Sequence, residues 1–382
     1  MIRTPADEAE AAALLREATA NRTPTVLRGG GTRTSGVADQ EAQAITSTGL
    51  AGIVDYEPAE LVMIVRAGTP MAQVERALDE NGQRLIFEPM DHRALLGTVG
   101  EPTIGGAIAA NVSGPRRFVA GAARDSLLGL RFVNAMGETV KAGGRVMKNV
   151  TGLDLPKLLA GSHGTLGLLT EVSVKVWPKV ECERTLVLHG LAPQRAAHAM
   201  AAAMATSTEP TGAAHLPHGA PGLAGPATAL RLEGFEKSVV LRLETLRTAL
   251  SGFGEASTLD GAASAAVWRA VRDVAPLADG DRPVWKLSVP PMSGHAAAAE
   301  LDGEAMFDWQ GGLVWLRSGQ DAGDIHRAAA RHAGHATLVR GDGSPFHPLP
   351  EGVAALSRRI KAQFDPAGIL PPPPGVSPSA GA

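Results

Sequence analysis

The stretch Pro24 to Gly36, PTVLRGGGTRTSG, constrains this chain more than any other. Thr25, Val26 and Leu27 form a short apolar, β-branched run that reads as a buried strand. It stops at three consecutive glycines flanked by Arg28 and Arg33. A strand therefore feeds a cationic loop without side chains at its centre. Glycine tolerates positive φ and lets backbone N–H groups approach a ligand, so a row of them forms a concave nest for an anion. Phosphate is the natural guest.

Two familiar phosphate loops fail on spacing. A Walker loop needs a lysine followed by Ser or Thr after its second glycine, and Gly29 to Gly36 contains no lysine. A Rossmann fingerprint needs G-x-G-x-x-G opening a helix, yet Gly29 and Gly31 are followed by Thr34 and a stretch, SGVADQEAQAITST, without helical periodicity. A further cluster, GSHGTLG at Gly161 to Gly167, follows the helix-like LDLPKLLA and precedes the strand LLTEVSVKVW, which reverses the Rossmann order. The glycines point to another kind of nucleotide site.

Composition bounds what surrounds that site. A chain of 382 residues has room for two domains, or for one with an insertion. The net charge of -3 gives no support for nucleic acid or a basic membrane face. The lone Cys182 excludes an intramolecular disulfide and any CxxC metal or iron–sulfur site. Acidic residues interrupt the first segment where a signal peptide needs an apolar core, and no stretch offers the ~20 apolar residues that span a bilayer, so a cytoplasmic location is expected. The 45 glycines and 27 prolines imply a loop-rich fold, and the tail from Pro371 to Ala382 is expected to be disordered.

Taken in order, Asp7 to Ala20 predicts a helix with Ala11, Leu14, Leu15 and Ala18 on one face. ITST at Ile45 to Thr48, GIVDYEP and LVMIVRAG read as strands. Thr69 reads as an N-cap with Pro70 at the first helical position, ahead of a Met71, Val74, Leu78 stripe. EPTIGGAIAANVSG joins Gly105 and Gly106 to a helix of small residues, where a planar ring could lie against backbone. Leu127 to Lys141 reads as a hairpin, and Val172, Val174 and Val176 alternate with Ser173 and Lys175. From Glu181 on, Ala-rich helices and strands alternate without glycine nests, in a second α+β unit that resembles a cap. Gly352 to Phe364 predicts a helix that stops at Pro366 and Gly368.

The ordered set RGGGTR, VRAGTP, PTIGGAIAAN, GAARDSLLGLRFVNAMGE, LDLPKLLAGSHGTLGLLTEV and FDPAGIL resembles the FAD-binding domain of the vanillyl-alcohol oxidase, or PCMH-type, flavoprotein family. The likeness implies an α+β fold: an FAD-binding domain of two α+β subdomains over 1–180, then an antiparallel cap over 181–345 with helices on one face. A C-terminal segment, 346–370, would return toward the first domain. It also implies that Arg28, Gly29, Gly30, Gly31, Thr32 and Arg33 hold the FAD pyrophosphate. Thr103, Gly105, Gly106 and Asn111 would sit by the flavin and ribityl chain, with Ser162, Gly164, Thr165 and Gly167 against the dinucleotide. Covalent members often carry histidine where Thr32 stands, so non-covalent FAD is expected.

The C-terminal half, including AHLPHG near His215 and LVRGDGSPFHPLP near His347, looks most like the FAD-binding subunits of glycolate oxidase. The implied partners are a catalytic flavin subunit (GlcD-like) and an iron–sulfur subunit (GlcF-like), the complex being peripheral at the inner membrane, with a small α-hydroxy acid as substrate. A free-standing FAD oxidoreductase is the alternative. The HxGDGNxH string of related dehydrogenases is missing, since RGDGSPFH at Arg340 to His347 lacks its leading His and its Asn, and Pro371 stands where asparagine is usual. No catalytic base is identifiable, and the main chemistry is expected on a neighbouring subunit. His326, His332 and His335, assigned to one helix and its end, read as solvated. Arg116, Arg117 and Arg124 read as exposed loop residues before they read as a carboxylate clamp. Trp285, Trp309 and Trp315 read as cap core or partner contacts, and no metal site is expected.

Overall fold

The computed structural model describes residues 2–33, 42–145 and 152–376. The end of the first glycine stretch and the last residues of the tail, for which disorder was expected, lie outside the described residues. Three sheets organise the rest. The smallest is parallel, ordered Ile2–Arg3, Gln43–Thr46, Thr25–Arg28, so the strand that feeds the glycine loop lies at an edge. Beside it runs the helix Glu8–Asn21. Asp7 caps it by accepting a 2.8 Å hydrogen bond from the Glu10 amide, Glu8 and Glu10 favour the positive end of its dipole, and it closes on left-handed Arg22. Its buried face, Ala11, Leu14, Leu15 and Ala18, packs against Ile45, Leu50, Val133 and Leu168.

The second sheet is antiparallel, ordered Ile53–Glu57, Val62–Arg66, Leu168–Pro178, Leu127–Val133, Thr139–Gly143, with Gln83–Leu85 also pairing to Leu168–Pro178. Its central strand follows the alternation in its sequence. Val172, Val174 and Val176 are fully buried among Met63, Val65, Phe87, Ile104 and Phe132, and each such side chain contributes about 1.5–3 kcal/mol by burial. The helices Met71–Glu80 and Ile104–Ala109 cover this face. The start of the first differs from expectation. Pro70 occupies the cap position, while the Thr69 hydroxyl donates to the Arg66 carbonyl at 2.7 Å and accepts from the Gly52 amide at 2.9 Å, which ties down the preceding turn.

The third sheet is an eight-stranded antiparallel cap, ordered Ala256–Asp260, Cys182–His189, Ala227–Gly234, Gly212–Leu216, Glu304–Asp308, Leu313–Arg317, Val284–Ser288, His335–Arg340. Helices Pro193–Met204, Glu236–Ala249, Gly294–Ala299 and Ala322–Arg331 cover its outer face. The inner face packs against Met90, Leu95 and Val112 of the N-terminal half and against one further helix, Gly261–Arg272, through Val267, Trp268 and Val271.

A buried charge network fastens the two halves. Arg116 donates to both oxygens of Glu233 at 3.0 and 2.9 Å, and Arg231 to both oxygens of Glu88 at 2.8 and 3.0 Å. Arg84 also binds Glu233, and the Arg116 amide reaches Glu88 at 2.7 Å. Arg116 is thus a buried tie and not an exposed loop residue. The C-terminal helix Glu351–Phe364 lies against the second sheet, with Phe364 5.9 Å from Phe132 between ring centroids. Beyond it, Asp365 accepts the Ile369 and Leu370 amides, and Ile369 accepts from Thr25 at 2.8 Å. The start of the proline tail is ordered by contact: Val376 is buried, and the Gly375 carbonyl accepts from Leu349.

Candidate functional site

The glycine loop is shaped by a second loop lying against it. A Cβ on Gly30 would fall 1.7 Å from the Glu101 carbonyl oxygen, one on Gly29 2.4 Å from Thr103 Oγ1, and one on Gly100 1.7 Å from the Gly30 carbonyl oxygen. Two of the three glycines are therefore required by loop-on-loop packing. Gly31 alone has φ +75° with open space around it. Among the described residues, the Gly29, Gly30 and Thr32 amides donate to no protein acceptor. Amides half-enclosed without acceptors are the mark of a bound anion. Thr103 caps the short helix behind them, accepting from the Gly106 amide at 3.2 Å, and Gly105 is demanded by Ala67, 2.5 Å from where its Cβ would stand.

Arg28 to Arg33, Thr103, Gly105, Gly106, Gly164 and Gly167 line one cavity of about 160 Å³. It adjoins a larger one of about 490 Å³ between the N-terminal half and the inner face of the cap, and Leu27, Arg33, Ala110 and His163 line both. Thr165 lines the larger cavity. Asn111 and Ser162 stand behind the walls: Asn111 Oδ1 accepts the Arg124 amide at 3.0 Å, and the Ser162 carbonyl accepts both the amide and the hydroxyl of Thr165.

The larger cavity is rich in cations. Arg33 makes no ion pair among the described residues; its Nε donates to His92 Nδ1 at 3.2 Å, and burial pulls its pKa down to about 10 against the pull of Asp91. Lys286 lies 5.2 Å from the Trp309 ring centroid and 6.0 Å from that of Trp315; burial, with Arg117 nearby, brings it to about 8. Arg117 stacks 4.5 Å over Trp309 and is also lowered by burial. Burial and Arg33 hold His92 neutral, at about 3, and His163 at about 4. Arg272 is already paired with Asp273 at 2.8 Å. The carboxylate among the lining residues is Asp308, whose Oδ1 accepts the Trp309 amide at 2.7 Å; burial raises it to about 7. A low-dielectric cavity in which Arg33, Lys286 and Arg117 outnumber Asp308 calls for anionic ligands.

Several residues take roles that the sequence did not assign. Arg117 faces the cavity, whereas Arg124 is exposed. His335 opens a strand and lines the cavity, so it does not end the preceding helix. His332 binds Glu300 at 2.8 Å, and His326 sits between Trp285 and His347. Trp309 and Trp315 line the cavity, with Trp309 Nε1 donating to the Gly114 carbonyl at 3.0 Å; Trp285 belongs to the outer core. Pro371 and Pro372 close one wall with apolar rings. Lys286 and Asp308 went unread, although a lysine in the middle of the apolar strand PVWKLSV was the available signal.

A diphosphate fits the unpaired amides and flanking arginines of the small cavity, and a flat ring system fits the larger one, which lies in the 300–1,000 Å³ range of small-molecule sites. Such a fold and site define a dinucleotide-binding flavoprotein. A family model described as an FAD binding domain matches residues 1–143. The chain is 32% identical over 359 residues to glycolate oxidase subunit GlcE of Escherichia coli (strain K12), covering 94% of each chain. It is also 32% identical to glycolate oxidase subunit GlcD of Bacillus subtilis (strain 168) and to a D-lactate dehydrogenase of Archaeoglobus fulgidus. Those matches cover 48% and 46% of this chain and 38% of each relative. Among solved structures, an alkyldihydroxyacetonephosphate synthase shares the fold, with a TM-score of 0.69 at 16% identity over 96% of this chain and 76% of that one. The chain belongs to the PCMH-type FAD-binding flavoproteins, in the group of glycolate oxidase subunit GlcE; it is an FAD-linked oxidoreductase and its cofactor is FAD.

Proposed function

We propose that this chain is the FAD-binding subunit of a complex that oxidises glycolate, and D-lactate beside it, to the 2-oxo acid. Electrons would pass to a GlcD-like catalytic flavin subunit and a GlcF-like iron–sulfur subunit. The observation that carries the reading is that the cavity at the glycine loop and the one at the cap's cationic inner face share Leu27, Arg33, Ala110 and His163, in a chain similar to GlcE along nearly its whole length. Bound FAD supplies an acceptor for two electrons and one hydrogen from an alcohol carbon. In this reading residues 1–180 hold the cofactor non-covalently, 181–345 form the cap, and 346–370 return to the first domain. Arg28, Arg33 and the amides of Gly29 to Thr32 neutralise the diphosphate. Thr103, Gly105 and Gly106 shape the wall beside the ring and ribityl chain, with Asn111 behind it, and Gly164, Thr165 and Gly167 lie against the dinucleotide, with Ser162 behind them. The cap and the Pro371–Pro372 wall exclude water. Among the described residues no helix is long and apolar enough to cross a membrane, so contact with the inner membrane would come through the partners.

A second reading, a free-standing oxidoreductase, is favoured by one observation: this chain's cavity carries both cations, Lys286 and Arg117, and a carboxylate, Asp308. Co-expression with the neighbouring subunits and anaerobic addition of glycolate tests both. Flavin bleaching only in the assembled complex supports the first, full bleaching of the isolated holoprotein supports the second, and a purified complex without this chain's flavin refutes both.

A further inference from the structure

The inner face of the cap carries a pair of side chains that the binding of FAD does not use. Strands Glu304–Asp308, Leu313–Arg317 and Val284–Ser288 are neighbours, with Asp308 opposite Leu313 and Leu313 opposite Ser288. Side chains on one rung point to one face, and so do residues two apart on a strand, so Asp308, Ser288, Lys286 and Trp315 all face the cavity. Asp308 and the lysine strand are separated by two strand spacings, roughly 10 Å at the backbone. The two side chains form no ion pair within 4 Å, which leaves room between them for a molecule of a few atoms. The turn that presents Asp308 is held in a costly shape. Trp309 and Gln310 both have positive φ, +49° and +64°, without being glycine. Such strain gathers where a site needs a fixed geometry.

We infer that Asp308, and not a histidine, receives the hydroxyl proton of a small 2-hydroxy monocarboxylate whose carboxylate rests on Lys286 and Arg117. The inference deepens the reading that this chain is an FAD-linked oxidoreductase of α-hydroxy acids, with substrate oxidised at its own flavin, and depends on it. The hydroxyl proton of the 2-hydroxy acid goes to an Asp308 carboxylate oxygen; bound oxidised FAD would take the C2 hydrogen with two electrons, so that the product is the 2-oxo acid. The Trp309 amide fixes one oxygen of Asp308, so the other is the acceptor. The cavity histidines suit the base role poorly. Burial and Arg33 hold His92 and His163 far below neutrality, His92 already accepts from Arg33, and His163 lies edge-on to Phe346 with ring centroids 5.0 Å apart. Asp308 is raised to about 7 by burial and by Glu88, against the Trp309 amide, Arg231 and Lys286; Arg33, Arg117, Arg272, His92, His163 and His335 are the other titratable groups that line the cavity. A carboxylate at that value is a competent base near neutral pH.

The test uses the FAD-loaded full chain and its Asp308→Asn and Lys286→Met variants, alone and in the complex. Acetate, which has no hydroxyl to lose, is titrated by calorimetry. Lys286→Met should weaken acetate on the order of tenfold or more, and Asp308→Asn should leave it within about threefold. Glycolate-driven flavin bleaching should slow on the order of 100-fold or more in Asp308→Asn, and the pH inflection expected near 7 for the parent chain should be lost. Acetate binding that ignores Lys286→Met, or a bleaching rate and inflection that survive Asp308→Asn, overturns the inference while leaving the flavin reading intact. A folded chain that retains no FAD overturns the flavin reading itself.

Discussion

Replacing Glu233 with glutamine tests what holds the cap over the N-terminal half. Its side chain is 2% exposed and takes hydrogen bonds from Arg116 and Arg84, with Arg231 Nε 3.6 Å away. The network sets three guanidinium groups against Glu233 and Glu88, and Glu183 is at its 4.0 Å margin. Neutralising Glu233 leaves buried positive charge without its partner, a class of change that costs about 3–5 kcal/mol. At roughly 2–4 °C per kcal/mol for a cooperative unit of this size, the melting temperature of the cap transition should fall by about 6–20 °C. Differential scanning calorimetry reads this directly. A paired Arg116→Met, Glu233→Leu double variant should recover at least half the loss, because apolar groups of similar volume tolerate such a site. A drop below about 2 °C for Glu233→Gln, or a double variant worse than the sum of the singles, would refute the claim that this network is the fastening.

Acid should release the same fastening. Arg231 and Arg116 hold Glu233 and Glu88 below their ordinary values against burial, so the stability they add is present above the unfolded value near 4.5 and is lost as pH falls through the lowered folded values; urea midpoints from pH 6 down to 3 should drop, and less so in the double variant. Arg33→Met should weaken FAD on the order of tenfold, and its effect should shrink in high salt, as followed by quenching of flavin fluorescence. With Lys286 brought to about 8, acetate affinity should decline as pH rises past that value, the bound anion moving the midpoint upward; affinity that is flat from pH 7 to 10 would remove Lys286 from the site.

The N-terminal half was legible because its elements carry local signals: a period-3.6 face on the helix Glu8–Asn21, strict alternation in Leu168–Pro178, and glycine runs at each turn that faces a cavity. The reason for the glycines was not. Gly29 and Gly30 are fixed by a loop some 70 residues away, and no local pattern reports the 1.7 Å approach of Glu101. The cap hid more. Lys286 and Asp308 went unread because alternation along an antiparallel strand tells which residues share a face and not what covers it. Arg116 was misread for the same reason: its partner Glu233 lies 117 residues downstream, in the cap. Thr69 sat one residue from its expected place because Pro70, with no N–H and a fixed φ, suits either position at a helix start.

The central claim is that the Gly29, Gly30 and Thr32 amides of the first glycine loop grip the diphosphate of FAD. Calorimetric titration of FAD and of riboflavin into the flavin-free chain, and into its Gly30→Ala variant, isolates that grip, since riboflavin lacks the diphosphate. The parent chain should prefer FAD by at least ~100-fold, as two or more charge-assisted hydrogen bonds allow, and Gly30→Ala, whose new methyl meets the Glu101 carbonyl, should lose most of the preference while still binding riboflavin. Equal affinity for the two flavins in the parent, or a preference unchanged by Gly30→Ala, would contradict the account.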